Sequence, residues 1–217
     1  MTNPTKCLDF LSNERSNTAE MTYDERQDAL LAAAAKVFAD NGFHPTTMRD
    51  LARATGMSLA GIYYYVRNKE DLLFRIQERC FTEVLTGARQ VLQPEGGSPE
   101  ERLERFIRHH VEFFASHMAE MKVLSHESES LRGAALDRIN QLKRDYGELL
   151  LGLTQAVRGG EDSVDPRVAT YALFGMMNWM YTWYDPSGPV SPEDLAAQFA
   201  TVFLRGVGTS SAVPGRA

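Results

Sequence analysis

The sequence predicts an all-α fold, and three observations lead to this prediction. No stretch of the 217 residues alternates apolar and polar side chains at period two for long enough to propose a sheet. Ser, Thr, Asn or Asp residues stand before most of the apolar-periodic stretches, where helix N-caps are expected. Residues 168–184 carry no charged side chain, which is typical of a helix that is buried on all sides. A hydrophobic content of 43% is enough for a sizeable core.

Capping signals place the helices in order along the chain. Thr22 with Glu25 makes a capping box for a first helix, which runs to about Asn41 because Gly42 follows. Ser98 with Glu101 makes a second capping box, and Asp165 precedes a proline at the first helical position. Signals of these kinds predict further helices at about residues 47–55, 58–66, 69–89, 98–114, 119–130, 136–158, 166–184 and 192–206. The helix that begins at about residue 136 is expected to stop at Gly159–Gly160.

Composition divides the chain into four segments. The sequence QPEGGS at residues 93–98 is the clearest loop, and it separates a predicted domain at residues 21–89 from one at residues 98–208. Residues 1–20 and 209–217 are predicted to be a flexible arm and tail. Residues 1–20 lack the apolar core of a signal peptide, and Cys7 and Cys80 lie far apart. We therefore expect a cytoplasmic protein with free thiols and no membrane association.

Residues 46–69 hold the most informative pattern, TTMRDLARATGMSLAGIYYYVRNK. Thr46 or Thr47 can cap a short helix, and Gly56 supplies the left-handed residue that ends it. Ser58 can cap a second short helix. This arrangement predicts a helix-turn-helix, in which the start of the second helix enters the major groove of DNA. A three-helix packing element with a tyrosine-rich surface is the structural alternative.

The overall charge is a mild argument against DNA, because the chain carries a net charge of −6 whereas DNA-binding domains are usually basic. Cations and acids are equally numerous between Tyr23 and Arg79. The cations, however, cluster at the predicted phosphate-facing surface. We expect DNA binding that weakens steeply with salt.

The stretch from about Tyr23 to Leu85 resembles the N-terminal DNA-binding domain of the TetR family of bacterial repressors. The resemblance rests on residues 46–72, TTMRDLARATGMSLAGIYYYVRNKEDL. It implies phosphate contacts at Thr47, Tyr63, Tyr65 and Lys69. It implies base contacts at Leu59, Ala60 and Tyr64, with Gly61 bringing the backbone close to DNA. The complete candidate set, with helix caps and a nearby arginine, is Thr46, Thr47, Arg49, Ser58, Leu59, Ala60, Gly61, Tyr63, Tyr64, Tyr65 and Lys69.

Two of the implied base contacts are apolar. Leu59 and Ala60 stand where a polar base reader is often found. We therefore expect thymine methyl groups and DNA shape to carry much of the sequence specificity.

The charge-free helix at residues 166–184 also predicts a homodimer. It is interrupted by polar residues and is too short for a confident membrane span. A helix with one face on its own domain and the other on a second copy would explain its composition. Together with the last helix it would form a four-helix interface, and such a dimer would match a pseudo-palindromic operator. A thick monomeric core is the alternative.

Aromatic and methionine side chains in the second domain indicate a cavity for a small effector, with no cofactor. Methionine fills irregular gaps and tolerates varied ligands. Asn178 is a lone amide among apolar neighbours and needs a hydrogen-bond partner. The candidate ligand residues are Phe106, His110, Phe113, Phe114, Arg144, Tyr146, Met177, Asn178, Trp179, Tyr181 and Trp183. For any one of these residues, ordinary core packing is the alternative.

A narrower resemblance suggests the chemistry of that effector. Residues 175–196, with HESESL at 126–131 and LKRDYGELL at 142–150, are similar to a TetR subgroup that represses fatty-acid, phenylacetate and sterol degradation. Those regulators typically respond to acyl-coenzyme A thioesters. The resemblance implies an apolar tunnel for an acyl chain, and basic side chains such as Arg108, Lys143 or Arg144 for the coenzyme A phosphates. These cations are equally compatible with a solvated helix face.

Two other classes of function, an enzyme and a protein-binding adaptor, are alternatives to a repressor. An enzyme is disfavoured because the sequence has no H-E-x-x-H zinc helix, no G-x-S-x-G elbow and no phosphate-binding glycine loop. No metal site is predicted. A dimeric helical adaptor without operator binding is the second alternative, and it is favoured by the near-neutral first domain and by the apolar Leu59 and Ala60.

Overall fold

The computed structural model describes residues 22–93, 96–127, 130–158 and 164–207, and within these ranges every regular element is helical. This confirms the all-α prediction. The helices are α1 (Tyr23–Asn41), α2 (Met48–Thr55), α3 (Leu59–Tyr65), α4 (Lys69–Leu92), α5 (Pro99–Ser116), α6 (Met118–His126), α7 (Gly133–Arg158), α8 (Pro166–Asn178) and α9 (Pro192–Val207). A 3₁₀ helix, Trp179–Thr182, follows α8. The predicted arm and tail, Cys7 and the Gly159–Gly160 helix stop lie outside the described residues.

The predicted helix starts are confirmed by hydrogen bonds at the caps. The Thr22 and Ser98 capping boxes are complete, because each cap side chain accepts an N–H and each glutamate accepts the cap N–H in return. Gly56 ends α2 in the left-handed conformation, at φ 68°. Side-chain caps are also formed by Thr47, Ser58, Asn68, Asp165 and Ser191.

Three helix ends differ from the prediction. α8 stops at Asn178 rather than Tyr184, because the Trp179 N–H bonds to the carbonyls of both Gly175 and Met177 and the chain tightens into the 3₁₀ helix. This turn places Met180 in the core. α4 runs on to Leu92, which is buried, and α6 ends at His126.

Packing makes α4 the element shared by the two halves of the molecule. It packs against α1 on the N-terminal side and against α5, α6 and α7 on the C-terminal side. α5 lies at the centre of the second half, between α4, α7 and α9. α6 packs against α1 and also contacts the 3₁₀ helix. None of the described helices has the length and apolar content needed to cross a membrane.

Candidate nucleic-acid interface and effector cavity

Local hydrogen bonds build the helix-turn-helix. The Thr47 hydroxyl donates to Asp50 Oδ2 at 2.6 Å and accepts the Asp50 N–H at 3.2 Å, which fixes the start of α2. The Thr47 hydroxyl and the Thr47 N–H together lower the pKa of Asp50. The Ser58 hydroxyl accepts the Gly61 N–H at 3.0 Å and fixes the start of α3. Ile62 and Val66, four residues apart, are both buried and face the interior.

The outer face of α3 presents apolar and aromatic groups to solvent. Leu59, Tyr63 and Tyr64 are exposed, Tyr64 to 72%. Ser58 and Ala60 are also exposed, as are Thr47 and Arg49. A Cβ added at Gly61 would lie 3.2 Å from the Ser58 hydroxyl, so any side chain there would crowd the α3 cap. The arrangement suits apolar contact with base edges together with phosphate contacts from the flanks.

Two candidate DNA residues are placed in the interior instead. Thr46 is 3% exposed, and its hydroxyl donates to the Gly42 carbonyl at 2.6 Å. It therefore closes the loop before α2, and Thr47 alone caps the helix. The ring of Tyr65 is 8% exposed and packs 4.9 Å from the ring of Tyr23. Three successive helical residues cannot all face outward, and Tyr65 is the one that turns into the core.

Lys69 is also turned inward, at the start of α4. Its Nζ donates to the carbonyls of Phe43 at 2.8 Å, His44 at 3.0 Å and Thr46 at 3.0 Å. The ammonium lies 4.4 Å from the centre of the Phe43 ring. All three N–H groups are therefore used by the α1–α2 loop. In this conformation Lys69 contributes positive charge near α2 without a free donor for a phosphate.

A cavity of about 550 Å³ opens between α4, α5, α6, α7 and α8. This volume is within the range of roughly 300–1,000 Å³ that is usual for small-molecule sites. Its buried wall is mostly apolar and consists of Val84, His110, Phe114, Met121, Leu124, Tyr146 and Thr170. Its exposed rim includes Arg144, Glu148, Arg167, Tyr171 and Asn178.

Two polar side chains are paired within the buried wall. His110 Nδ1 lies 3.0 Å from the Tyr146 hydroxyl, and the two rings are stacked with centroids 5.9 Å apart. His110 is 1% exposed, and burial, helped by the neighbouring His109, lowers its pKa to about 3. The Asn178 side chain opposes a part of this shift. The imidazole is therefore uncharged at neutral pH.

Three cations line the cavity against one carboxylate. Lys143 and Arg144 come from α7 and Arg167 from the first turn of α8, while Glu148 supplies the negative charge. Lys143 is half-buried with its Nζ 5.6 Å from the centre of the Phe81 ring, and burial lowers its pKa. Arg144 donates to the Gln141 amide oxygen at 2.8 Å. A ligand that combines an apolar part with an anionic part would fit this distribution of charge.

The C-terminal end of α6 connects the cavity with the loop between α1 and α2. Met121, Leu124 and Ser125 of α6 line the cavity. Directly after α6, Glu127 Oε1 accepts the Phe43 N–H at 3.3 Å, and the Glu127 carbonyl accepts from Gln77 Nε2 at 3.2 Å. Phe43 is in turn one of the residues that hold Lys69.

Comparison with known proteins decides which family this architecture represents. Residues 96–207 match the family described as tetracyclin repressor-like, C-terminal domain, and residues 30–76 match bacterial regulatory proteins of the tetR family. The first match alone spans more than half of the chain. The chain belongs to the TetR family. It is a TetR-type DNA-binding transcriptional repressor, and this family comprises regulators rather than enzymes.

Several members of the TetR family resemble the chain over most of its length. The transcriptional repressor KstR2 of Mycolicibacterium smegmatis is 27% identical over 84% of this chain and 90% of its own length. The fatty acid metabolism regulator protein of Bacillus subtilis is 26% identical over 71% of this chain and 81% of its own length. The crystal structure of AibR with isovaleryl coenzyme A and operator DNA aligns with a TM-score of 0.71 and 29% identity, over 82% of this chain and 97% of AibR.

In this TetR repressor, five candidate ligand residues line the cavity and six do not. The residues at the cavity are His110, Phe114, Arg144, Tyr146 and Asn178. Phe106 and Met177 are buried in the core behind it. The other four candidates lie elsewhere: Phe113 stacks on His117, Tyr181 bonds to His126, and Trp179 and Trp183 are exposed.

The lack of a polar side on the apolar stretch explains why some candidate ligand residues do not line the cavity. The stretch around Met177 has no charged side, so composition could not distinguish the side of the helix that faces the cavity from its other sides. The residues that the sequence missed include Phe81 and Val84 of α4, Met121 of α6 and Arg167 of α8. α4 and α6 showed an apolar face in sequence, but only tertiary packing decides which part of that face meets a cavity. Arg108, considered for phosphate binding, pairs with Glu193 at 3.9 Å instead.

Proposed function

We propose that this repressor binds a pseudo-palindromic operator as a homodimer and is released by an acyl-coenzyme A thioester. Residues 21–89 would form the DNA-binding domain and residues 98–208 the effector-binding and dimerisation domain. The observation that carries the effector proposal is the cavity, which combines a buried apolar wall with three cations, Lys143, Arg144 and Arg167.

The two parts of the cavity match the two parts of such a thioester. Moving an acyl chain from water to the wall formed by Val84, Phe114 and Met121 lowers the free energy of binding. The phosphates of coenzyme A would remain near the rim, where guanidinium groups can bind phosphate through two parallel hydrogen bonds. A free fatty acid would use the wall but only a small part of the cationic rim.

Relatives support the same class of effector. AibR was crystallised with isovaleryl coenzyme A and operator DNA, and the Bacillus subtilis relative is described as a fatty acid metabolism regulator. At identities of 26% to 29% these relatives indicate the class of ligand rather than its acyl group.

Exposed apolar side chains support the homodimer. In the described part of the chain, the large hydrophobic residues that remain exposed fall into two regions. One is the helix-turn-helix with Tyr23. The other, which we name the α8–α9 face, comprises Val168, Tyr171, Trp179, Trp183, Val190 and Val202. A group of exposed large apolar side chains usually marks an interface. A two-fold partner on this face would present two α3 helices to grooves about 34 Å apart.

The connection through α6 supports a mechanism of release. An effector that contacts Met121, Leu124 and Ser125 biases the position of α6, and α6 holds the α1–α2 loop through Glu127. The population then shifts toward a form with a different spacing of the two α3 helices. Passing from mostly bound to mostly released requires about 5 kcal/mol of differential affinity.

A two-step experiment tests the proposal. Genomic fragments retained by the purified protein at low ionic strength are sequenced, and the retained operator is then titrated with acyl-coenzyme A thioesters of increasing chain length. We expect release by at least one thioester and weaker release by the matching free acid. Failure to retain any duplex would favour the helical adaptor instead, and release by no thioester would overturn the effector class.

Removing the charge of Arg167 tests whether the cationic rim of the cavity binds the coenzyme A phosphates. Arg167→Gln should weaken the binding of an acyl-coenzyme A on the order of tenfold, since a charge-assisted contact to phosphate is lost. It should leave the binding of the ethyl thioester of the same acid unchanged. Arg132→Gln, an exposed arginine that does not line the cavity, is the matched control.

A further inference from the structure

One buried donor or acceptor in the cavity wall has no partner. His110 lines the cavity and its Nδ1 faces the Tyr146 hydroxyl, but its Nε2 makes no hydrogen bond to any described residue. The exposed Asn178 amide at the cavity rim partly offsets the lowering of the His110 pKa, but Nε2 itself has no hydrogen-bond partner among the described residues. A buried polar atom without a partner is costly, so its presence at the wall of a cavity indicates a ligand group.

The Tyr146 hydroxyl decides which role Nε2 plays. Tyr146 is buried, and among the described residues the His110 ring is the hydrogen-bond partner found for its hydroxyl. If the hydroxyl donates to Nδ1, the ring proton sits on Nε2 and one group, the Nε2–H, awaits a partner. In the other tautomer the phenolic hydrogen and the Nε2 lone pair would both be unpaired. The first arrangement leaves fewer buried groups unsatisfied and is favoured.

We infer that His110 Nε2–H donates a hydrogen bond to an uncharged carbonyl oxygen of the effector. The partner must be an acceptor, because Nε2 carries the proton. It must be uncharged, because a carboxylate would lose its hydration beside Phe114 and Phe174. The imidazole itself is uncharged, because burial lowers its pKa to about 3, so it supplies no positive charge that would attract a carboxylate. In an acyl-coenzyme A the thioester carbonyl meets both conditions. This inference rests on the proposed function and defines how the effector is seated.

Binding of two matched compounds tests the inference without any mutation. The first is an acyl-coenzyme A thioester, and the second is the thioether in which a CH₂ group replaces the carbonyl. We expect the wild-type protein to bind the thioester more tightly on the order of tenfold, the value of one buried hydrogen bond. Equal affinities would overturn the inference and leave the proposed effector class intact. Failure to bind either compound would overturn both.

Two variants test whether His110 is the residue that distinguishes the thioester from the thioether. His110→Phe should bind both compounds equally, whereas Phe114→Leu should weaken both alike and keep the preference for the thioester. A His110→Phe protein that still prefers the thioester would contradict the inference. If that variant does not fold, the ¹⁵N chemical shifts of the His110 ring in the wild-type protein provide the second measurement. A proton on Nε2 is the expected result, and a proton on Nδ1 would overturn the inference.

Discussion

At the scale of single residues, Lys69 organises the α1–α2 loop. Its ammonium satisfies three carbonyls of the α1–α2 loop and lies over the Phe43 ring. Because α2 starts directly after that loop, Lys69 fixes the helix-turn-helix relative to α4. The family resemblance implied that Lys69 binds a phosphate of DNA. In the structure its ammonium instead donates to three backbone carbonyl groups of the protein.

Replacing Lys69 separates these two roles. Lys69→Met should lower the free energy of unfolding by about 2 kcal/mol, because hydrogen bonds to a charged group are lost. It should reduce the slope of log K against log salt for operator binding by less than the value of about 0.9 per subunit that one phosphate contact contributes. The measurements are urea unfolding and operator titrations over a range of salt.

Arg49→Gln is the matched control for this experiment. Arg49 is exposed on α2, so its loss should leave stability unchanged and reduce the slope of log K against log salt by about 0.9 per subunit. If Lys69→Met shows this same pattern, Lys69 is a phosphate ligand and its role in the loop is secondary.

His110 gives the protein a pH-dependent stability. Its pKa is about 3 in the folded protein and near 6.5 when exposed, so the unfolded state takes up the proton first on acidification. Stability attributable to His110 is therefore complete above pH 6.5 and falls as the pH is lowered toward 3. At pH 5 the loss is about 2 kcal/mol. Urea unfolding of wild-type and His110→Phe proteins at pH 7 and pH 5 measures it. An identical pH dependence in both proteins would contradict this assignment.

At the scale of elements, helix starts are local and helix partners are not. The Thr22, Ser58 and Ser98 caps were predictable because each cap side chain bonds to a backbone N–H three residues away. The last turn of α8 was not predictable in this way. Its change to a 3₁₀ helix serves the burial of Met180, which depends on distant residues.

α6 is the element through which we expect the two sites to communicate. Glu127→Ala removes the acceptor for the Phe43 N–H and for the Ser130 hydroxyl. The variant should still bind operator and effector, but the effector should weaken operator binding several-fold less than in the wild type. By linkage, the operator should also oppose effector binding less. Titrations of each ligand with and without the other measure this coupling.

A second glutamate serves as the control for this coupling. Glu112 is exposed on α5, and Glu112→Ala should leave the coupling unchanged. An unaltered coupling in Glu127→Ala would show that α6 does not transmit the signal through this contact.

At the scale of the whole molecule, two apolar surfaces define the proposed assembly. The helix-turn-helix exposes Leu59 and Tyr64 for DNA, and the α8–α9 face exposes Val168, Trp179 and Val202 for a second copy. The Arg79 guanidinium ties α4 to α1 through Asp28 at 2.7 Å, and it lies 4.0 Å from Glu120 of α6. The body between the two surfaces is thus connected through its shared helix, α4.

A charge on the α8–α9 face should abolish dimerisation. Val202→Asp replaces an apolar side chain that is 62% exposed in the single chain with one that would be buried and unpaired in the dimer. We expect monomers in sedimentation experiments and the loss of operator binding, with the helical content retained. Ala134→Asp, on the exposed first turn of α7, should remain dimeric. A dimeric Val202→Asp protein would exclude this face as the interface.

The sequence by itself determined the helices, their caps, the helix-turn-helix and the family, because all of these depend on residues a few positions apart. Only the tertiary structure decided that Thr46 and Tyr65 face the interior, that Lys69 closes a loop, and that Phe81 and Arg167 reach the cavity. These outcomes require surfaces from distant helices to meet. Burial and hydrogen bonding then decide which of several neighbouring residues faces the interior or the cavity, and a local sequence pattern does not predict these contacts.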